Sequence, residues 1–378
     1  MEQLIIRAEN DYKGLDDWIG KKEIRKILLV CDDSILFQKK FVTHLEKFCH
    51  ESGIDIVQFR GFQPNPLYEN VTDGIKVFRK NHCDGIIAVG GGSALDVAKC
   101  IKLYAGLEGD GEKGSFLITE GPCLGIPFLA MPTTAGTGSE ATKYAVIYYE
   151  GKKQSITSND IIPEAVLMDP DSLKTLPTYQ KKATMMDALC HAIESFWSVN
   201  STEESRGYSK EAIETIVRNM EGFLENDEGA RYNMLFAANL AGKAINITQT
   251  TAGHAMCYKI TSLFHVAHGH AAILCDRELY PWMVENVERC TDPRGKEYLA
   301  GILDKIGVAL GEKDGKAGTE KLARIFNYLE FDVPRADENQ FEELGSSVNL
   351  VRLKNHPIEL NKEDIDQLYR RILKGTDK

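Results

Sequence analysis

The patterning of this 378-residue chain changes character near residue 176, and that change bounds the folds open to it. Before it, short apolar runs alternate with helix-like stretches. Ile27–Cys31, Ile54–Phe59, Gly85–Val89 and Ile126–Met131 read as strands, with helix-like Phe41–Cys49 and Val71–Asn81 among them. Strands alternating with helices predict a mostly parallel sheet covered on both faces. After it, Ala183–Ser198, Ser205–Leu224, Ala230–Gln249 and Leu299–Leu310 read as helices, with few β-branched alternating runs. The expectation is an α/β domain over residues 1–177 and an all-helical domain over 178–378, divided at the Leu176–Pro177 step. The tail opens with a helix start from Asn361 to Asp364.

Composition excludes several function classes. A hydrophobic content of 43% supports two real cores. A net charge of −11 argues against general nucleic-acid binding, but leaves room for a local basic pocket and an anionic substrate. No apolar run approaches the roughly 20 residues of a membrane span, and the opening MEQLIIRAENDYKG lacks the pattern of a secretory signal. The nine cysteines are scattered and form no CxxC, which suits free thiols in a reducing, cytoplasmic compartment. Cys190 and Cys257 lie near the candidate ligands below and read as packing residues.

The helical half carries two pairs of candidate metal ligands, Asp187 with His191 and His254 with His268. Asp187 and His191 are four apart in an Ala/Met/Leu-rich helical stretch, so they share a helix face. His254 and His268 are fourteen apart, about 21 Å along one straight helix. Both can reach one ion, at roughly 2 Å each, only if the chain bends between them. Thr261–Ser262 and Val266–Ala267 are the places where it could. One carboxylate and three imidazoles suit iron(II), zinc or another first-row ion better than calcium or magnesium. A lone DxxxH is usually incidental; two such pairs beside the loops described next are not.

Those loops follow the third and fourth strands. GGGSALDVAK, residues 90–99, places glycines where a strand turns into a helix. Glycine lets backbone approach a phosphate, and the helix offers unpaired N–H groups and a positive dipole end. Ser93 and Asp96 resemble a capping box that would start this helix. PTTAGTGSE, residues 132–140, follows the fourth strand, at the carboxyl end where open α/β sheets bind ligands. One glycine run is often only a turn; two such loops after two strands predict a pyrophosphate site.

Taken in order, GGGSALDVAK, PTTAGTGSE, D-x3-H and H-x13-H resemble the iron-containing (group III) alcohol dehydrogenase family, with its dehydroquinate synthase-like fold. The resemblance covers roughly residues 20–310. It implies a Rossmann-like nucleotide-binding domain, a metal-binding helical domain, and a nicotinamide cofactor in the cleft between them. It implies Fe(II), with Zn as the alternative, held by Asp187, His191, His254 and His268. For the cofactor it implies Gly91, Gly92 and Ser93 at the pyrophosphate and Thr133, Thr134 and Thr137 along its length. Lys153 and Asn65 complete that set. Asp32 matches an acidic residue that binds the adenosine ribose and favours NAD(H), with NADP(H) left open because Asp33 beside it blurs the register. A solvated strand end would explain the two aspartates equally well. The resemblance also implies a homo-oligomer, a dimer or larger.

One position departs from the family. A histidine common four residues after the third ligand is Tyr258 here, which could relay a proton or only wall the pocket. Within the family, the segment LAGKAINITQTTAGHAMCYKITSLFHVAHGHAAIL resembles the phosphonoacetaldehyde reductases, also called 2-hydroxyethylphosphonate dehydrogenases. A phosphonate dianion needs cationic or N–H donors; Lys259 is the first candidate, His270 and Arg277 the weaker ones. The expected reaction is metal-assisted hydride transfer between a nicotinamide and a primary alcohol/aldehyde pair. The expected substrate is phosphonoacetaldehyde. Alternatives are a short-chain alcohol or diol dehydrogenase and, more distantly, a dehydroquinate synthase-like lyase.

Overall fold

In the computed structural model, which describes residues 3–9, 11–119, 121–348 and 353–375, the chain forms two compact units, Met1–Leu176 and Pro177–Lys378. The first unit contains, in order, β1 (Leu4–Arg7), α1 (Lys13–Lys21), β2 (Lys26–Cys31), α2 (Lys39–Ser52), β3 (Asp55–Phe59) and α3 (Tyr68–Lys80). It continues with β4 (Gly85–Gly90), α4 (Gly92–Tyr104), β5 (Phe128–Pro132), β6 (Tyr144–Tyr149), β7 (Lys152–Thr157) and β8 (Ala165–Met168).

Six of these strands make one sheet in the order β1-β8-β5-β4-β2-β3, and every pairing is parallel. Residues of β4 and β5 are fully buried, as a sheet covered on both faces requires. One cover is built on Val71, Ile75, Val97 and Ile101 of α3 and α4. The other is built on Leu15, Ile19, Phe41 and Leu45 of α1 and α2. From β2 the chain first moves outward to β3, then returns to β4 on the other side. The direction therefore reverses between β2 and β4, and this is where open α/β sheets bind ligands. The four strands expected from the sequence are present. The edge strand β1, the strand β8 between β1 and β5, and the β6–β7 antiparallel hairpin are additional.

The second unit contains α5 (Thr178–Trp197), α6 (Glu203–Leu224), α7 (Glu228–Thr248), α8 (Ala252–Phe264) and α9 (His268–Glu285). It ends with α10 (Lys296–Ala309), α11 (Gly315–Tyr328), α12 (Glu338–Ser347) and α13 (Lys362–Ile372). The expected helix start at Asn361 is a reciprocal capping box with Asp364. Among the described residues the unit is helical apart from one two-residue parallel pair, Arg335–Ala336 with Lys374–Gly375, and an isolated antiparallel bridge between Cys290 and Ile358. From Lys181 onward nearly every residue of α5 is buried, so polar side chains there must find partners inside the unit. Among the described residues, no helix is long and apolar enough to cross a membrane.

Candidate metal and nucleotide sites

The helical unit brings the two ligand pairs together. α8 ends at Phe264 with His265 in the left-handed region (φ 55°, ψ 29°), and α9 begins at His268. This bend lies at the later of the two expected places; Thr261 and Ser262 stay inside α8. One ligand atom each from Asp187, His254 and His268 lies within 4.8 Å of the others. Asp187 Oδ1 is 3.4 Å from His254 Nε2 and 4.0 Å from His268 Nε2. Ligands about 2 Å from one ion stand at such mutual distances. His191 Nε2 is also 4.0 Å from that oxygen, but its ring stacks on His254 at 4.3 Å, beside the convergent trio. Asp187 and His254 are buried, whereas the His268 side chain is 36% exposed and supplies the open edge.

The electrostatics fit a cation. Burial alone would raise the Asp187 pKa, but the imidazoles of His191, His254 and His268, which in the metal-free chain carry the positive charge a bound cation would otherwise supply, hold it well below the usual carboxylate range. Behind the trio stands Glu194, one turn after His191. Its carboxylate accepts from His254 Nδ1, from His254 N at 2.9 Å, and from Thr251 N and Oγ1 at 2.5 and 2.7 Å. A carboxylate on the far nitrogen fixes the tautomer and leaves Nε2 facing Asp187, where an ion held by the trio would sit, the usual support of a metal-bound histidine. Sequence reasoning missed Glu194, although its spacing from Asp187 and His191 places it on their helix face. Asp276 was missed too. It is fully buried, neither oxygen accepts from an N–H or O–H among the described residues, and the Cys190 thiol is a polar neighbour. Burial, with Glu194 nearby, raises its pKa well above the carboxylate range.

Close backbone approach holds the frame. A Cβ on Gly269 would stand 1.9 Å from the Ala183 carbonyl oxygen, and one on Gly253 would stand 1.9 Å from Asp276 Oδ1. Cys190 and Cys257 are buried, and Cys257 Sγ lies 3.7 Å from His268 Nδ1. Tyr258 is 47% exposed and its ring stacks on His268 at 5.3 Å. Lys259 is ion-paired with Glu343. His270 is buried, with Nδ1 3.0 Å from the Tyr179 hydroxyl and Nε2 2.8 Å from the Asp332 carbonyl. Arg277 stacks over Phe326 at 4.2 Å and donates to Glu278 at 3.1 Å. The last two are thereby engaged in internal contacts rather than gathered around the trio.

In the first unit both glycine loops spring from adjacent strands, with Gly90 in register with Pro132. Gly90 takes φ 154°, open to glycine and rare for other residues. The loops touch: a Cβ on Gly92 would lie 3.2 Å from Thr137 Cγ2, and one on Gly91 would lie 3.6 Å from Thr134 Cγ2. Thr133 N donates to Gly90 O at 3.0 Å. The expected capping box is absent. α4 starts at Gly92 with Gly91 as its cap residue, ahead of Ser93, and Asp96 is drawn to other donors. Asp32 sits where the sheet reverses and accepts from Gly91 N at 3.1 Å and Ser34 N at 2.9 Å. Asp33 instead pairs with Arg60. Asn65 is exposed at φ 59°, which asparagine tolerates, just before Pro66, whose carbonyl accepts from Tyr148 N at 2.9 Å. Lys153 is exposed on β7, in register with Tyr148.

Comparison with known proteins agrees with both halves. The family description iron-containing alcohol dehydrogenase matches residues 3–170, and the C-terminal description of the Fe-containing alcohol dehydrogenase family matches residues 181–373. A 1,3-propanediol dehydrogenase of Citrobacter freundii is 37% identical over 278 residues, 71% of this chain and 70% of that protein. A phosphonoacetaldehyde reductase of Streptomyces viridochromogenes is 29% identical over 303 residues, covering 77% and 76%. The crystal structure of a sulfoacetaldehyde reductase of Bifidobacterium kashiwanohense in complex with NAD+ superimposes with a TM-score of 0.86 at 24% identity, covering 98% and 96%. At that identity the likeness speaks for the fold.

Proposed function

Because the chain belongs to the iron-containing alcohol dehydrogenase family, an oxidoreductase family acting on alcohols, we propose that it moves hydride between a nicotinamide dinucleotide and a small primary alcohol/aldehyde pair. The carrying observation is the Asp187, His254 and His268 trio backed by Glu194. One buried carboxylate and neutral imidazoles suit Fe(II) or Zn, with His191 as the fourth ligand. When bound, the metal supplies Lewis acidity toward the reacting oxygen, and the nicotinamide supplies the hydride. The chain's own residues supply order. Glu194 keeps the His254 Nδ1 proton away from the ion, and the exposed edge at His268 and Tyr258 admits substrate. Gly91, Gly92, Ser93 and the threonines at 133, 134 and 137 receive the cofactor phosphates and ribose, with Asn65 and Lys153 beside them. Asp32 holds the loop and reads the ribose hydroxyls, which favours NAD(H) over NADP(H). The residues divide as domains 1–177 and 178–378, and the working enzyme is a cytoplasmic homo-oligomer.

The finer reading is reduction of phosphonoacetaldehyde to 2-hydroxyethylphosphonate. It is supported by the 29% identical phosphonoacetaldehyde reductase and by Lys259 next in sequence to Tyr258, whose ring stacks on His268. The pairing of Lys259 with Glu343 favours a second reading, an uncharged alcohol or diol, which also matches the 37% identical 1,3-propanediol dehydrogenase. The test is NADH oxidation by anaerobically iron- or zinc-loaded protein, with phosphonoacetaldehyde, propanal, lactaldehyde and 3-hydroxypropanal. A preference for the phosphonate that Lys259→Ala abolishes supports the first reading; equal kcat/KM for all four sinks it. His268→Ala should lose the metal, and stoichiometric metal in that variant would refute the ligand set.

A further inference from the structure

Lys99 is fully buried, yet its ammonium has three acceptors: Ser139 Oγ at 3.0 Å, Thr142 Oγ1 at 3.1 Å and the Tyr144 carbonyl at 2.7 Å. One turn earlier on α4, Asp96 accepts from Ser139 Oγ at 2.8 Å and from Val146 N at 3.0 Å. Two residues of the helix that follows the first glycine loop therefore grip residues 139–146, the segment leaving the second. Ser139 is the hub. Its hydroxyl lies between Lys99 and Asp96, and its backbone N–H donates to Thr137 Oγ1 at 3.2 Å. Thr137 in turn packs where a Gly92 side chain would be. A buried ammonium without good acceptors would cost far more than a methionine of the same length, so its presence asks for a reason.

We propose that Asp96 and Lys99 are positioning residues that set dinucleotide affinity by clamping the second glycine loop against the first. The inference rests on the reading that these loops hold a nicotinamide dinucleotide. The clamp spends no group on the ligand itself; it pre-orders backbone N–H groups and threonine hydroxyls that would otherwise be ordered at the expense of binding.

The clamp also carries a pH dependence. Burial lowers the Lys99 pKa to about 8, while Asp96 and Glu140, with the Cys100 thiol next to it, pull it upward. Lys153 acts on Asp96 from β7. The ammonium has three protons for three acceptors, and the neutral amine has two. Affinity should therefore be full at pH 7 and fall as pH rises through about 8. A bound pyrophosphate should hold the proton more tightly, by linkage.

The experiment is NADH binding by fluorescence from pH 7 to 9.5, on wild type, Lys99→Met and the charge-neutral double variant Asp96→Asn/Lys99→Met. Loss of one charged hydrogen-bonding group predicts about a tenfold weaker Kd at pH 7 and a correspondingly higher KM for NADH. The pH step should vanish in both variants, while bound metal and KM for the aldehyde stay unchanged. If Lys99→Met does not fold, the double variant and the wild-type pH profile carry the test. A flat wild-type profile, or a folded variant with wild-type Kd, overturns the clamp. Failure of wild type to bind NADH or NADPH at all overturns the cofactor reading, and the clamp with it.

Discussion

Gly269 is a point of very close approach in the frame of the candidate metal centre. It follows His268 in the first turn of α9, and a Cβ there would stand 1.9 Å from the Ala183 carbonyl oxygen and 2.7 Å from Asp187 Cβ. Both obstacles belong to α5, and the nearer is backbone, so no rotamer relieves it. Carbon and carbonyl oxygen ordinarily stay about 3.3 Å apart, so Gly269→Ala must force α9 away from α5 by roughly 1.4 Å. His268 is the adjacent residue and moves with α9, while Asp187 stays on α5. Ligand distances in metal sites are held to about 0.2 Å, several-fold less than that displacement. The variant should therefore retain well under one metal equivalent after dialysis and lose to a chelator at concentrations the wild type withstands. The metal-free protein should also be less stable by about 1–3 kcal/mol, the usual cost of overpacking. The assay is anaerobic loading with elemental analysis and chelator competition, beside denaturant unfolding of the metal-free forms. Reduced stability with wild-type metal affinity would refute the claim that this contact sets ligand spacing. Unchanged values for both would refute the close approach itself.

Other outcomes follow from the same interior. Glu194→Gln keeps the shape but not the charge behind His254, and should weaken metal affinity by roughly 10–100-fold; equal affinity by chelator competition would remove Glu194 from the site. His356 is buried with neither ring nitrogen hydrogen-bonded among the described residues, and burial lowers its pKa to about 4. The unfolded imidazole takes up its proton near 6.5 and the folded one refuses it until about 4. Stability is thus lost as pH falls across that window, by as much as ~3 kcal/mol. His356→Phe should flatten this part of the denaturant-derived stability profile, and an identical acid slope would contradict it. Asp276 has the opposite sign: its raised pKa means stability is lost as pH rises above the ordinary carboxylate range. Asp276→Asn should therefore melt higher than wild type at neutral pH in the metal-free state, and a lower melting temperature would show that the charged form is the one accommodated.

Local patterns made the site legible. Three of the four ligand candidates converge, and the two glycine loops meet, because each pattern is short and each follows its own strand or helix. What stayed hidden depends on distant partners. LIIR in β1 becomes a strand by pairing with AVLM in β8, more than 150 residues away, and β8 itself also needs β5 on its other side. Ser93 and Asp96 read as a capping box because the sequence cannot show that Gly91 N–H already has Asp32 as acceptor, or that Val146 and Ser139 reach Asp96. Glu194 lies on the ligand face of α5, but its role emerges only when α8 presents His254 to it. Lys259, His270 and Arg277 are candidates by charge and by their place in or just beyond the segment around Tyr258, and neither reveals Glu343, Asp332 or Phe326 beside them.

The left-handed residue His265 closes α8 three residues before His268. Because His254 and that bend share one rigid helix, their angular phase is set by a residue count. One residue inserted between His254 and Phe264 would rotate everything downstream by about 100° about the helix axis, carrying α9 and His268 away from Asp187. Relatives that keep the metal can therefore vary the side chains of this segment but not its length. A one-residue insertion or deletion there would mark a chain that has abandoned the proposed centre, even with all four candidate ligand residues still spelled out.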